Sequence, residues 1–146
     1  MFISKTSEHA LRILTYMALN YGTQLSARNL FEELQIPKRY LMRLLTDLSK
    51  SGFIKATRGR SGGYVFARSL DTIYFSEIID SVEGLLTFEG CVLGSTVCPV
   101  DKPCAMHQIW EKPKQTFLET LKSTTLADLR NGKNIRLKYS IKQIHH

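Results

Sequence analysis

Between residues 7 and 21 the apolar side chains Ala10, Leu11, Leu14, Met17, Ala18 and Tyr21 recur every third or fourth position, the spacing that lays one stripe along an α-helix. Ser7 stands where an N-cap is needed, and Gly22 where the helix should stop. Ser26 opens a second, shorter helix through Leu34, with Glu32 and Glu33 on its outer side. After a turn at Gln35 and Ile36, Pro37 falls in the first turn of a third helix that runs to about Lys50. Leu41, Leu44, Leu45 and Leu48 form its buried stripe, which leaves Arg39, Arg43, Thr46 and Lys50 along the outward face with Lys38 and Met42 beside it.

The period then changes. Gly52 ends the third helix, and two β-prone runs, 53–56 and 64–67, flank Thr57-Arg58-Gly59-Arg60-Ser61-Gly62-Gly63, which predicts a hairpin with a glycine-rich tip. Past Asp71, Ile73, Phe75, Ile78, Ile79 and Val82 predict a packing segment and a short helix ending near Gly84. Residues 85–103 carry Gly90, Gly94, Pro99 and Pro103, which is loop composition. Met106, Ile109, Trp110, Phe117, Leu118 and Leu121 signal a long final helix, with Pro113 expected to kink it near Ile109. Its apolar face exceeds what a small body needs, so it is predicted to pack against a second copy of the chain. A last turn is expected at 126–129. The fold class is therefore mainly α with a small β-hairpin: a winged helix-turn-helix over 1–84, a loop over 85–103, a long C-terminal dimerisation helix over 104–130 and a basic tail over 131–146.

At 146 residues, 43% hydrophobic and 23% charged, the chain suits one core and speaks against intrinsic disorder. Charged residues interrupt every apolar run, and the first residues lack the order of a signal peptide, so a cytoplasmic protein away from the membrane is expected. The net charge of +7 is unevenly placed: residues 1–70 hold eleven Lys or Arg against four Asp or Glu, and residues 71–146 hold nine against nine. Between positions 38 and 68 lie Lys38, Arg39, Arg43, Lys50, Lys55, Arg58, Arg60 and Arg68, with Asp47 the one acid among them. A merely solvated face mixes both signs; a one-sided cluster suits a polyanion.

In a winged helix the third helix enters the major groove of double-stranded DNA and the wing rests on an adjacent groove. Arg39 and Arg43, one turn apart, are placed to read base edges, whereas Lys38, Lys50 and Lys55 are better placed for phosphates. Arg58 and Arg60 suit a minor groove, with Gly59, Gly62 and Gly63 allowing close backbone approach. Arg28, Tyr40, Ser61 and Tyr64 complete the expected DNA-facing set.

The remaining chemistry is concentrated in Cys91-x6-Cys98-x5-Cys104-x2-His107. Three thiols in one short segment, without a secretion signal, argue for metal rather than a disulfide framework. Structural zinc prefers paired ligands two to four residues apart, so an iron–sulfur cluster fits better, with His107 one turn from Cys104 as a candidate fourth ligand. A zinc site or bare redox-active thiols is the alternative. An enzyme is disfavoured because neither His9 nor His107 has an evident carboxylate partner in sequence, and no small-molecule substrate is indicated.

Three segments, EHALRILTYMAL from Glu8 to Leu19, Arg58-Gly59-Arg60-Ser61-Gly62-Gly63-Tyr64, and Thr125-Leu126-Ala127-Asp128-Leu129, together with the three cysteines, resemble the Rrf2 family of bacterial transcription regulators. The resemblance is to its iron–sulfur branch, with cluster-assembly (IscR) and nitric-oxide-sensing (NsrR) types. It implies a homodimeric repressor of operator DNA, built on the long C-terminal helix, that carries one 2Fe–2S or 4Fe–4S cluster per subunit close to the partner's DNA-binding domain. Loss or modification of that cluster by nitric oxide, redox or iron status would then alter operator binding. The cluster ligands implied are Cys91, Cys98 and Cys104 with either His107 or Glu8, the latter donated by the other subunit. The similarity of the opening helix to the nitric-oxide-sensing type inclines the reading toward Glu8. Six residues rather than the family's common five separate Cys91 from Cys98.

Overall fold

The computed structural model describes residues 3–84, 91, 93 and 104–132. Ser4 caps α1 (Lys5–Leu19) by accepting from the Ser7 amide, so the helix begins ahead of the Ser7 cap predicted from the pattern. Ser7 sits inside the first turn, fully buried, and donates to the Glu83 carboxylate. This long-range partner is what lets a serine go under the core instead of ending a helix. Tyr21, predicted as the last residue of the stripe, lies beyond the helix and is exposed.

Ser26 and Asn29 form a reciprocal capping box for α2 (Ala27–Leu34), and Gln35 closes it in the left-handed region with φ of 54°. Pro37 takes the N-cap position of α3 (Lys38–Lys50) without a side-chain cap. The predicted stripe of Leu41, Leu44, Leu45 and Leu48 is buried, against Leu30 and Leu34 of α2 and Ala10, Ile13, Leu14 and Met17 of α1.

The wing is an antiparallel pair, β1 (Ile54–Thr57) and β2 (Gly63–Phe66), in the register Ile54 opposite Phe66 and Thr57 opposite Gly63. Each strand is offset by one residue from the prediction, because the Phe53 amide closes the end of α3 on the Leu48 carbonyl at 3.1 Å and its side chain enters the core. A short 3₁₀ turn (Leu70–Thr72) leads to α4 (Phe75–Glu83), which packs on α1 and α3. Gly84 ends it with φ of 83°, a conformation that favours glycine.

α5 (Ala105–Ser123) runs through Pro113, although that proline removes the amide Ile109 would otherwise bond. α6 (Leu126–Arg130), capped reciprocally by Thr125 and Asp128, returns to the core on α1. Leu126 and Leu129 are buried there, and the Leu126 amide reaches the Ile73 carbonyl at 3.0 Å. The closing turn thus shares the core of the winged-helix body.

Candidate nucleic-acid interface

Because α3 buries its four leucines, its opposite face is open: Lys38, Arg39, Met42, Arg43, Thr46 and Lys50 are all exposed. Arg43 lies 4.0 Å from Asp47 with its side chain 77% exposed, a contact at the limit of an ion pair that leaves the guanidinium available. On α2, Arg28 pairs with Glu32 at 2.8 Å, and that carboxylate raises the already high pKa of the guanidinium. Tyr40 turns the other way. Its hydroxyl donates to Thr6 at 2.6 Å and its ring meets His9 edge-on at 5.5 Å, so it locks α3 to α1.

At the wing, Lys55, Arg58, Gly59, Arg60 and Ser61 are exposed. Gly59 has φ of 117°, and the Gly62 amide returns to the Gly59 carbonyl at 2.9 Å. A Cβ on Gly62 would sit 2.8 Å from the Gly59 oxygen, and one on Gly63 only 2.6 Å from the Leu25 oxygen. Leu25 and Tyr64 exchange backbone hydrogen bonds at 2.7 and 3.3 Å. Gly63 and Tyr64 therefore bring the wing against the protein's own backbone, just before α2, while Gly62 closes the tip of the wing on itself. These glycines were expected to let the backbone approach DNA; Gly63 is also crowded by Leu25, a residue nearly forty positions away that no local pattern reveals. Arg68, partly exposed, is engaged within the fold: it holds Glu77 at 2.8 Å and lies 5.5 Å from the centre of the Phe53 ring.

Cys91 is half-buried and accepts the Leu93 amide at 3.4 Å, while Cys104 is exposed at the N-cap of α5; both are free thiols. The Cys104 carbonyl accepts from the His107 amide at 3.0 Å, which places the imidazole on the first turn of α5. Glu8 lies in the first turn of α1, where a hydrogen bond from Lys5 at 2.8 Å, foremost, holds its carboxyl below the usual range. Cys98 lies outside the described residues, and among the described residues no three His, Cys, Asp or Glu side chains form a group able to hold a metal ion. Cys91 and Cys104 are not joined in a disulfide, and Cys104 makes no side-chain capping bond, so both thiols are of the type that could ligate iron.

A helix with an open cationic face and a hairpin anchored beside it are the parts of a winged-helix, DNA-binding domain. The chain belongs to the Rrf2 family, described as iron-dependent transcriptional regulators, whose sequence profile matches residues 3–132. It is 32% identical over 133 residues, 90% of this chain and 92% of the relative, to a protein of Aquifex aeolicus described as an HTH-type transcriptional regulator. It is similar to the structure of CymR, the global cysteine regulator of B. subtilis, with a TM-score of 0.72 and 28% identity, covering 88% of this chain and 95% of that one. The IscR of T. potens superimposes with a TM-score of 0.68 and 26% identity, covering 88% and 85% of the two chains. The oxidised form of Staphylococcus aureus CymR does so with a TM-score of 0.69 and 26% identity over 89% and 96%. No helix among the described residues is long and apolar enough to cross a membrane.

Proposed function

We propose that this chain is a homodimeric repressor whose hold on operator DNA depends on an iron–sulfur cluster. Its ligands would be Cys91, Cys98, Cys104 and one non-thiol group, either Glu8 of the other subunit or His107. The observation that carries the sensing part is the pair of free thiols, Cys91 and Cys104, with His107 one turn on at the start of α5. Bound there, a cluster supplies a centre that reacts with oxidants and nitric oxide.

The chain's own part is mechanical. The cysteine segment follows directly on α4, and α4 packs on both α1 and α3. Constraint placed on Cys91, Cys98 and Cys104 is therefore one element away from the helix that carries Arg39 and Arg43. In a dimer, small changes in the pose of that helix alter how two copies match successive major grooves. The similarity to CymR, a cysteine regulator including an oxidised form, favours as second reading a thiol- or zinc-based regulator on the same scaffold.

Purification of the full-length protein without oxygen separates the two. Visible absorbance, with iron and sulfide bound in comparable amounts and an operator affinity that falls when the colour is bleached, is the expected result. A colourless protein, zinc-loaded or metal-free, whose DNA binding answers only to thiol oxidation, establishes the second reading instead.

A further inference from the structure

The outward face of α3 is not purely polar. Met42 is 40% exposed on the flank of the Arg39 and Arg43 row, and Phe31 of α2 is 37% exposed. Both line one cleft of about 520 Å³ between α2 and α3, to which Arg28, Glu32 and Lys38 contribute the charges. Two large apolar side chains left in water beside four cations need an occupant that suits both. A protein surface that covered Met42 and Phe31 would also have to meet the charges of Lys38, Arg39 and Arg43, Arg28 being already paired with Glu32. Duplex DNA meets the cations with phosphates, and its major groove presents one apolar group, the 5-methyl of thymine.

We propose that Met42 is a specificity-determining residue that packs its thioether against a thymine methyl, with Phe31 forming the far wall of the cleft. Arg39 and Arg43 bracket Met42 along the helix, so the thymine falls among the same base-pair steps that the arginines read. An unbranched, polarizable side chain adapts to such a contact without demanding one rotamer. Thr46 supports the site by donating its hydroxyl to the Met42 carbonyl at 3.0 Å, which directs that proton into the helix and away from competing polar contacts. The inference rests on the operator-binding reading of α3 and adds a base preference to it.

The test uses the full-length protein and a duplex selected from a random pool, in which each thymine is replaced in turn by deoxyuridine. Wild type should lose roughly fourfold in affinity at one or more positions per half-site, the factor that corresponds to one buried methyl-sized group. Met42→Ala should lose a similar factor on the thymine duplex and become indifferent to uracil at that position, whereas Met42→Leu should keep the discrimination. Indifference of the wild type to every uracil replacement, or full discrimination retained by Met42→Ala, overturns the inference. Arg39→Ala on the same duplex keeps the two levels apart. If it weakens binding while uracil has no effect, the methionine contact alone is wrong; if it leaves binding unchanged, the reading of α3 itself fails.

Discussion

Arg39 and Arg43 differ from the other cations in what they can do chemically. A guanidinium one helical turn from another, on a face with no apolar neighbour except Met42, presents a planar fork that matches guanine O6 and N7, whereas Lys50 presents a single rotating ammonium. Arg39→Ala or Arg43→Ala should therefore cost about 1–3 kcal/mol on the selected operator and relax base preference. Lys50→Ala should weaken specific and random duplexes alike, and equal losses for all three variants on both kinds of DNA would falsify the division. At the metal end, Glu8 and His107 compete for one role. With Glu8 donated across the dimer, Glu8→Ala should leave a labile cluster with altered spectra while His107→Ala keeps the native spectrum. Loss of the cluster signature in His107→Ala, with Glu8→Ala indistinguishable from wild type, assigns the fourth ligand to the imidazole.

The wing shows how an element is placed by contacts far from its own residues. β1 and β2 are short, and a two-stranded hairpin has little independent stability; the exchange of hydrogen bonds between Leu25 and Tyr64 ties it to the start of α2. Gly63 makes that approach possible, since a Cβ there would lie 2.6 Å from the Leu25 oxygen and 2.8 Å from its carbon. Gly63→Ala should destabilise the fold by about 1–3 kcal/mol, as overpacked positions do, and should lower DNA affinity through displacement of Arg58 and Arg60. Thermal unfolding and DNA titration of the same variant check this. A stable Gly63→Ala protein with unaltered affinity would show that the anchoring does not matter.

At the scale of the molecule, α5 keeps most of its apolar side chains outside the buried core. Leu121 is its single buried residue, Ile109 is 66% exposed, and Met106, Trp110, Phe117 and Leu118 are only half-buried. A second copy packed along this helix would cover them, which is the homodimer of the proposed function. Ile109→Glu should therefore shift the sedimentation of the protein toward the monomer and weaken operator binding, while the helical content stays the same. A variant that remains dimeric moves the interface off this face. In the proposed dimer, two copies of the α3 face would make many phosphate contacts, in keeping with a charge excess confined to the N-terminal half.

Much of this architecture was legible from periodicity, because each helix buries one face and the stripe of leucines at 41, 44, 45 and 48 shows which face that is. It also shows which cations remain outside, so the row of Arg39, Arg43 and Lys50 follows from the same pattern. The thiol segment stood out for a different reason, three cysteines within fourteen residues, and its use as a cluster site belongs to the proposed function. Tertiary structure decided what depends on residues distant in sequence. Ser4 rather than Ser7 caps α1 because Ser7 finds Glu83; Gly63 and Tyr64 attach the wing because Leu25 lies against them; Arg68 is held to one position because Glu77 and the Phe53 ring engage it. Local propensity sets which face of an element is apolar, but a polar group's role depends on the partner that satisfies it, and only the folded chain brings that partner within reach.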